Sequence, residues 1–260
     1  MDLGFGGRAY VVTGASSGVG LAVASRLLAE GAHVAACARD AERLEKALAD
    51  APKASGARVY PHSCDVLDEA AVTDFVRGAV EVFGRLDGVV NNAGRSLMAP
   101  VAKTTRQQWR EEFDLKIFSV LNTVSAAAGA LRESDAAAVV NINATLARQP
   151  EPRLGATSSA RAALLNLTKT LAADLAPIRV NSVCLGLIDT GQWRRRYEAT
   201  DGSQTYEEWS AQIAADRGIV LGRFGRAEEA AHPVISLLSP RASYITGTSI
   251  DVGGGGARYV

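Results

Sequence analysis

Along the chain, short apolar runs alternate with longer stretches in which apolar residues recur every three or four positions. Ala9–Thr13 is an apolar run ending at glycines, and Leu21–Glu30 follows with helical spacing and Gly31 as a stop. His33–Cys37 reads as the next strand, Ala41–Asp50 as a polar-faced helix, and Arg58–Tyr60 as a short strand. Asp68–Phe83 is helical up to Gly84, and Leu86–Val90 is an apolar run that ends in Asn91-Asn92-Ala93-Gly94. Thr105–Leu131 reads as one long helix, Ala137–Ile142 as a strand, Ala156–Leu175 as a helix stopped near Pro177, and Ile178–Leu185 as a strand. Alternation at this rhythm predicts an α/β fold, a doubly wound parallel sheet with helices on both faces.

Two segments break the rhythm. The stretch 189–218 carries Trp193, Tyr197, Tyr206 and Trp209 among many charges. It reads either as an inserted helical lid over a pocket or as a surface helix pair in an oligomer contact. The end, with Gly253-Gly254-Gly255-Gly256, reads as a turn-rich tail after a last strand. No repeat, low-complexity tract or linker divides the chain, so a single domain over 1–260 is expected.

Composition narrows the function classes. The 260 residues are 47% hydrophobic, ample for a buried core, and carry 28 basic and 28 acidic side chains. That balance argues against a broadly basic nucleic-acid binder and a polybasic membrane-surface protein. Cys37, Cys64 and Cys184 lie far apart without CxxC spacing and read as small buried hydrophobes. His33, His62 and His232 form no HxxxH or HExxH pair, so no metal site is expected. No run approaches the ~20 apolar residues of a membrane span, and the first residues lack the charge order of a signal peptide. The expectation is a reduced, cytoplasmic protein acting on a small molecule.

The chemistry begins where the first strand runs into Thr13-Gly14-Ala15-Ser16-Ser17-Gly18-Val19-Gly20 and a helix opens at once. Free backbone N–H groups and the helix dipole point at an anion in such a turn. Gly14 permits the tight turn, Gly18 lets the backbone approach a pyrophosphate, and Gly20 lets helix and strand pack closely. From here the chain resembles the short-chain dehydrogenase/reductase family over about residues 6–256. TGASSGVG is similar to its TGxxxGxG loop, Asp65-Val66 to its adenine-side pair, and Asn91-Asn92-Ala93-Gly94 to its NNAG motif. Arg179-Val180-Asn181 resembles its RVN strand, and Gly186-Leu187-Ile188-Asp189-Thr190 its PGxIxT turn, with Leu185 in place of the proline. The resemblance implies a Rossmann-type sheet, a nicotinamide cofactor with its amide near Ile188 and Thr190, and a homodimer or homotetramer.

An acid after the second strand binds both ribose hydroxyls and repels a 2′-phosphate, whereas a basic group does the reverse. Here the strand ends Cys37-Ala38-Arg39-Asp40. The resemblance puts Ala38 where NAD-preferring members carry Asp and Arg39 where many NADP-preferring members carry Arg. A guanidinium fork suits a phosphate dianion, so NADP is expected, with Asp40 capping the next helix. Alternatively Arg39 stacks on adenine without choosing between the cofactors.

The catalytic positions depart from the family. Its members use Asn, Ser and a YxxxK pair, in which an ammonium activates a phenol to protonate the alkoxide left by hydride addition. Aligned by resemblance, Asp114 takes the Asn position, Ala144 the Ser position, Thr157 the Tyr position and Arg161 the Lys position. An aliphatic hydroxyl is far too weak an acid to replace that phenol, and Arg161 does not deprotonate. Arg161, one turn beyond Thr157, still points a cation at the pocket. Asp114 and Lys116 are further candidates, Thr145 offers a hydroxyl one residue after Ala144, and Tyr197 and Tyr206 are the phenols expected to reach a substrate. The blander alternative pairs Arg161 with a carboxylate such as Asp114. Three functions follow: an atypical NADP(H)-dependent oxidoreductase acting on a carbonyl or hydroxyl, a non-redox lyase, dehydratase or cyclase on the same scaffold, and a cofactor-binding pseudoenzyme. Arg148, Arg153 and the run Arg194-Arg195-Arg196 could attract an acidic substrate or form a solvated surface.

Overall fold

Apolar alternation along the first strand decides how the two faces of the sheet are covered. In β1 (Ala9–Thr13), Tyr10 and Val12 pack into one core and Ala9 and Val11 into the other, as the two-residue period of a strand requires. The computed structural model describes residues 2–200 and 202–259. β1 pairs in parallel with β2 (His33–Ala38), which pairs with β3 (Val59–Ser63). On its other side β1 pairs with β4 (Gly88–Asn91), followed by β5 (Ala138–Ala144), β6 (Arg179–Leu185) and β7 (Ser249–Val252). The order is β3-β2-β1-β4-β5-β6-β7, with every pairing parallel. The chain therefore winds outward in both directions from β1 and β4, and a crevice opens beyond their C-terminal ends.

One face is covered by α1 (Gly18–Ala29), with Val23, Leu27 and Leu28 buried against Val12 and Val90. The other is covered by α3 (Glu69–Phe83) and its neighbours, where Phe75 and Val76 meet Val11 and Val89. Helix α2 (Ala41–Ala49) starts at Asp40, whose carboxylate accepts the Arg43 N–H at 3.0 Å, the cap expected there.

One reading changes and one helix is added. The expected single helix over 105–131 is α4 (Arg106–Phe113), one wider π turn over Asp114–Phe118, and α5 (Ser119–Arg132). A π turn holds an extra residue, so side chains beyond it are rotated relative to a continuous α-helix. Helix α6 (Gly155–Asp174) follows β5. The rhythm-breaking stretch forms α7 (Gly191–Glu198) and α8 (Tyr206–Asp216). The unread helix α9 (Ala227–Leu238), with Pro233 inside it, buries Val234, Ile235 and Leu238 against α1 and the sheet. Among the described residues, no helix is long and apolar enough to cross a membrane, and no cluster of His, Cys, Asp and Glu could hold a metal.

Candidate active site

The crevice holds a cleft of about 930 Å³. Ser16, Ser17, Gly18 and Val19 line it at the start of α1, and Ser17, the cap residue, leaves the helix amides without a side-chain bond. Those amides are what a pyrophosphate requires. Gly14 has φ of 65°, and a Cβ there would lie 2.8 Å from the Ala93 Cα. Gly20 sits behind the cleft, where a Cβ would strike Asn92 Nδ2 and the Gly14 carbonyl, so it serves the close packing expected of it. The glycine loop and the β4 loop are tied together: Asn92 Nδ2 donates to the Thr13 and Gly14 carbonyls at 3.0 Å, and Thr13 Oγ1 accepts from the Asn92 and Ala93 amides. Ala93 and Gly94 line the cleft, but Asn91 turns beneath it and donates to Asn141 Oδ1 at 2.8 Å.

At the far end Asp65 and Val66 line the wall, and Asp65 accepts the Leu67 amide at 3.0 Å. Arg39 stands there beside Arg43, a second exposed cation that sequence reading missed although it lies four residues on. Thr190 and Arg161 close the near end, while Ile188 lines an adjoining cleft. An uncapped helix start and two guanidiniums lining one groove fit a dinucleotide carrying an additional phosphate.

The catalytic positions fall into three groups. Arg161 lies on the floor between both clefts, its Nη1 donating to the Ile142 carbonyl at 2.5 Å and its Nε buried without a partner among the described residues. Ala144 and Thr145 line the adjoining cleft; the first offers only a methyl, and the Thr145 hydroxyl donates to the Leu185 carbonyl at 3.4 Å.

Thr157 does not face either cleft. It is fully buried, and its hydroxyl donates to Glu112 Oε2 at 2.5 Å while accepting the Leu97 amide at 3.0 Å. As a direct proton donor Thr157 is therefore misplaced. Asp114 is corrected too: it opens the π turn and lines neither cleft nor the small cavity beside Arg161. Lys116, two residues on, is turned inward instead. It donates to Glu112 Oε2 and to the Arg95 carbonyl, each at 2.8 Å, and shares a cavity of about 10 Å³ with Arg161 and Asn91. Burial, and then the nearby Arg161 charge, pushes the Lys116 ammonium down to about 8. Burial also lowers Arg161, against the opposing pull of Glu112. The carboxylate beside these cations is thus Glu112 and not Asp114. A charged pair four residues apart on the buried face of an otherwise packed helix was the available signal.

The lid phenols are corrected as well. The Tyr197 hydroxyl donates to the Gln204 carbonyl at 2.6 Å, and Tyr206 donates to Asp189 at 2.5 Å with Arg194 stacked 3.6 Å over its ring. Neither lines a cleft, because the two rings pack against each other and Trp209. The phenol that does line the adjoining cleft is Tyr259, from the glycine-rich tail, whose hydroxyl is buried. Burial, and then Asp251, pushes it up to about 12. That cleft measures about 810 Å³.

The chain matches the family model described as Enoyl-(Acyl carrier protein) reductase over residues 14–256. It is 30% identical over 251 residues to the 3-oxoacyl-(acyl-carrier-protein) reductase of Thermotoga maritima, covering 96% of this chain and 97% of that protein. Among solved structures it resembles a short-chain oxidoreductase from Pseudomonas aeruginosa containing an atypical catalytic center. That protein is 44% identical, with 97% of this chain and 98% of that one covered. The TM-score is 0.93 to its apo structure and 0.91 to its NADPH-bound structure. The L-sorbose reductase of Gluconobacter frateurii, solved with NADPH and L-sorbose, is 30% identical with a TM-score of 0.95 and full coverage of both chains. On fold, motif order and full-length similarity together, the chain belongs to the short-chain dehydrogenase/reductase family of oxidoreductases.

Proposed function

We propose that this protein is an NADP(H)-dependent oxidoreductase that interconverts a carbonyl and a hydroxyl on a small organic substrate, with a buried cation pair replacing the usual phenol. The observation that carries this reading is the trio Lys116, Arg161 and Glu112: two buried cations beside the cleft against one carboxylate. NADPH, when bound, supplies the hydride. Arg39 and Arg43 would hold its 2′-phosphate, and the N-terminus of α1 its pyrophosphate.

On this reading the excess positive charge serves the alkoxide that develops during reduction. Arg161 keeps its proton and stabilises that oxyanion electrostatically. Lys116 is the group able to release a proton near neutral pH, and it shares a small cavity with Arg161, which itself lines the cleft. Glu112 and Thr157 position Lys116 and take no direct part in proton transfer. The reading is tested by incubating the protein with NADPH and a panel of ketones and aldehydes under saturating cofactor. Stoichiometric NADPH oxidation with formation of the alcohol is expected. Product formation while the nicotinamide keeps its redox state would instead identify a non-redox enzyme, and tight NADPH binding without turnover of any substrate a pseudoenzyme.

A further inference from the structure

The three arginines of the run at 194–196 have separate surroundings. Arg194 is tied to Asp189 and stacked on Tyr206 within the lid. Arg195 lines the cofactor cleft. Arg196 lines both clefts, half-buried, with its guanidinium 4.4 Å over the Trp193 ring and no carboxylate bonded to it among the described residues. An aromatic face fixes the plane of a guanidinium while leaving its N–H edge free to bind.

The adjoining cleft is strongly cationic. Arg148, Arg161, Arg196, Arg217 and Arg258 line it, against Glu151 and Asp216. Some of this charge is already neutralised: Arg217 is paired with Glu151 and Arg148 with Asp251, and Arg148 also donates to the Ser249 hydroxyl. Arg196 is left as the partly desolvated cation at the seam between cofactor and substrate spaces. Leu146, Leu154, Trp193 and Ile219 give the same cleft apolar surface.

Resting on the reductase reading above, we propose that the substrate carries an anionic end group on an apolar body, and that Arg196, stacked on Trp193, is the residue that selects it. The anion, a carboxylate or a phosphate monoester, docks on the N–H edge of Arg196. The chain of the substrate lies along this apolar surface, and its carbonyl reaches Arg161. Planar bidentate recognition favours arginine at such a position, and its removal costs binding of the anion more than binding of the cofactor.

The test separates this proposal from the reductase reading by measuring binding without turnover. Octanoate, octyl phosphate and octanol are titrated calorimetrically into the NADPH-loaded protein, wild type and Arg196→Met. One or both anions are expected to bind and octanol to bind at least about tenfold more weakly, as for loss of one charge-assisted contact. Which anion binds tighter identifies the end group. Arg196→Met should weaken the preferred anion by about tenfold or more, with Arg196→Lys intermediate and NADPH affinity changed by less than about threefold. Equal binding of octanol and the anions overturns the proposal, as does an Arg196→Met effect confined to NADPH, which would make Arg196 a cofactor clamp. Matched rate assays with 7-oxooctanoate and its methyl ester complete the comparison. Turnover of the ester alone overturns the proposal and leaves the reductase standing, whereas anion binding without turnover of any ketone supports the site and counts against the reductase.

Discussion

Thr157 donates its hydroxyl hydrogen bond to Glu112 Oε2 over 2.5 Å, and the same Glu112 oxygen accepts Lys116 at 2.8 Å. The residue at the family's tyrosine position is thereby turned into the protein, and its polar bond serves a buried ion pair. If Thr157 only positions that pair, Thr157→Val keeps its shape and removes only the hydroxyl. The variant should lose about 1–3 kcal/mol of stability, because the Leu97 amide and Glu112 each lose a partner in a buried site. Its kcat should fall by less than about tenfold, against the ~10²–10⁴-fold expected on losing a general acid. Urea denaturation and steady-state rates check the two halves.

Glu112 carries the heavier structural role. Its carboxylate and the Lys116 ammonium are each only 2% exposed as residues, so removing one partner strands the other in the core. Glu112→Gln should destabilise by about 3–5 kcal/mol, and adding Lys116→Met to it should recover most of that loss. The midpoints of chemical denaturation for the two single variants and the double variant measure the coupling directly.

The pH dependence of reduction follows from Lys116. Burial lowers its ammonium to about 8, so the protonated, donating form predominates below that pH and is lost above it. With a saturating substrate whose own groups do not titrate there, kcat for reduction should be level at pH 6–7 and fall tenfold per unit well above 8. Oxidation of the alcohol needs the neutral amine and should rise over the same range. Lys116→Gln should abolish both limbs.

Cofactor choice rests on the cations at the far end of the cleft. Arg39 and Arg43 line it together, and neither is ion-paired among the described residues. Arg39→Ala should weaken NADPH by about 10–100-fold while leaving NADH nearly unchanged, as expected for a charge-assisted contact to phosphate. Fluorescence titration of each reduced cofactor reports the ratio.

Much of this cleft is legible in the chain because it is built from local turns. Ala9–Thr13 coincides with β1, the glycines from Gly14 to Gly20 occupy the turn and the helix start, and Asp40 caps α2. These features depend on residues adjacent in sequence and on backbone geometry that glycine permits. The catalytic floor depends instead on rotation about a helix axis. Alignment by motif puts Asp114 at the catalytic position but carries no information on the π turn at Asp114–Phe118, within which Lys116 and not Asp114 is turned toward Arg161. The position of Tyr259 is set by the fold of the glycine-rich tail over a cleft lined by β5, β6 and α7, which no local spacing reveals. Tyr197 and Tyr206 stay out of the cleft because their rings pack against each other and Trp209.

The central claim is that hydride transfer to a carbonyl proceeds with Lys116 and Arg161 in place of a phenol. Its most direct measurement is single-turnover transfer of deuterium from nicotinamide-C4-deuterated NADPH to the carbinol carbon of the product, in wild type and in Lys116→Met. The account predicts label at that carbon in wild type and transfer slowed by ~10²–10⁴-fold in the variant, with NADPH still bound. Label transfer at an undiminished rate in Lys116→Met, or an unlabelled product from the wild-type protein, would contradict it.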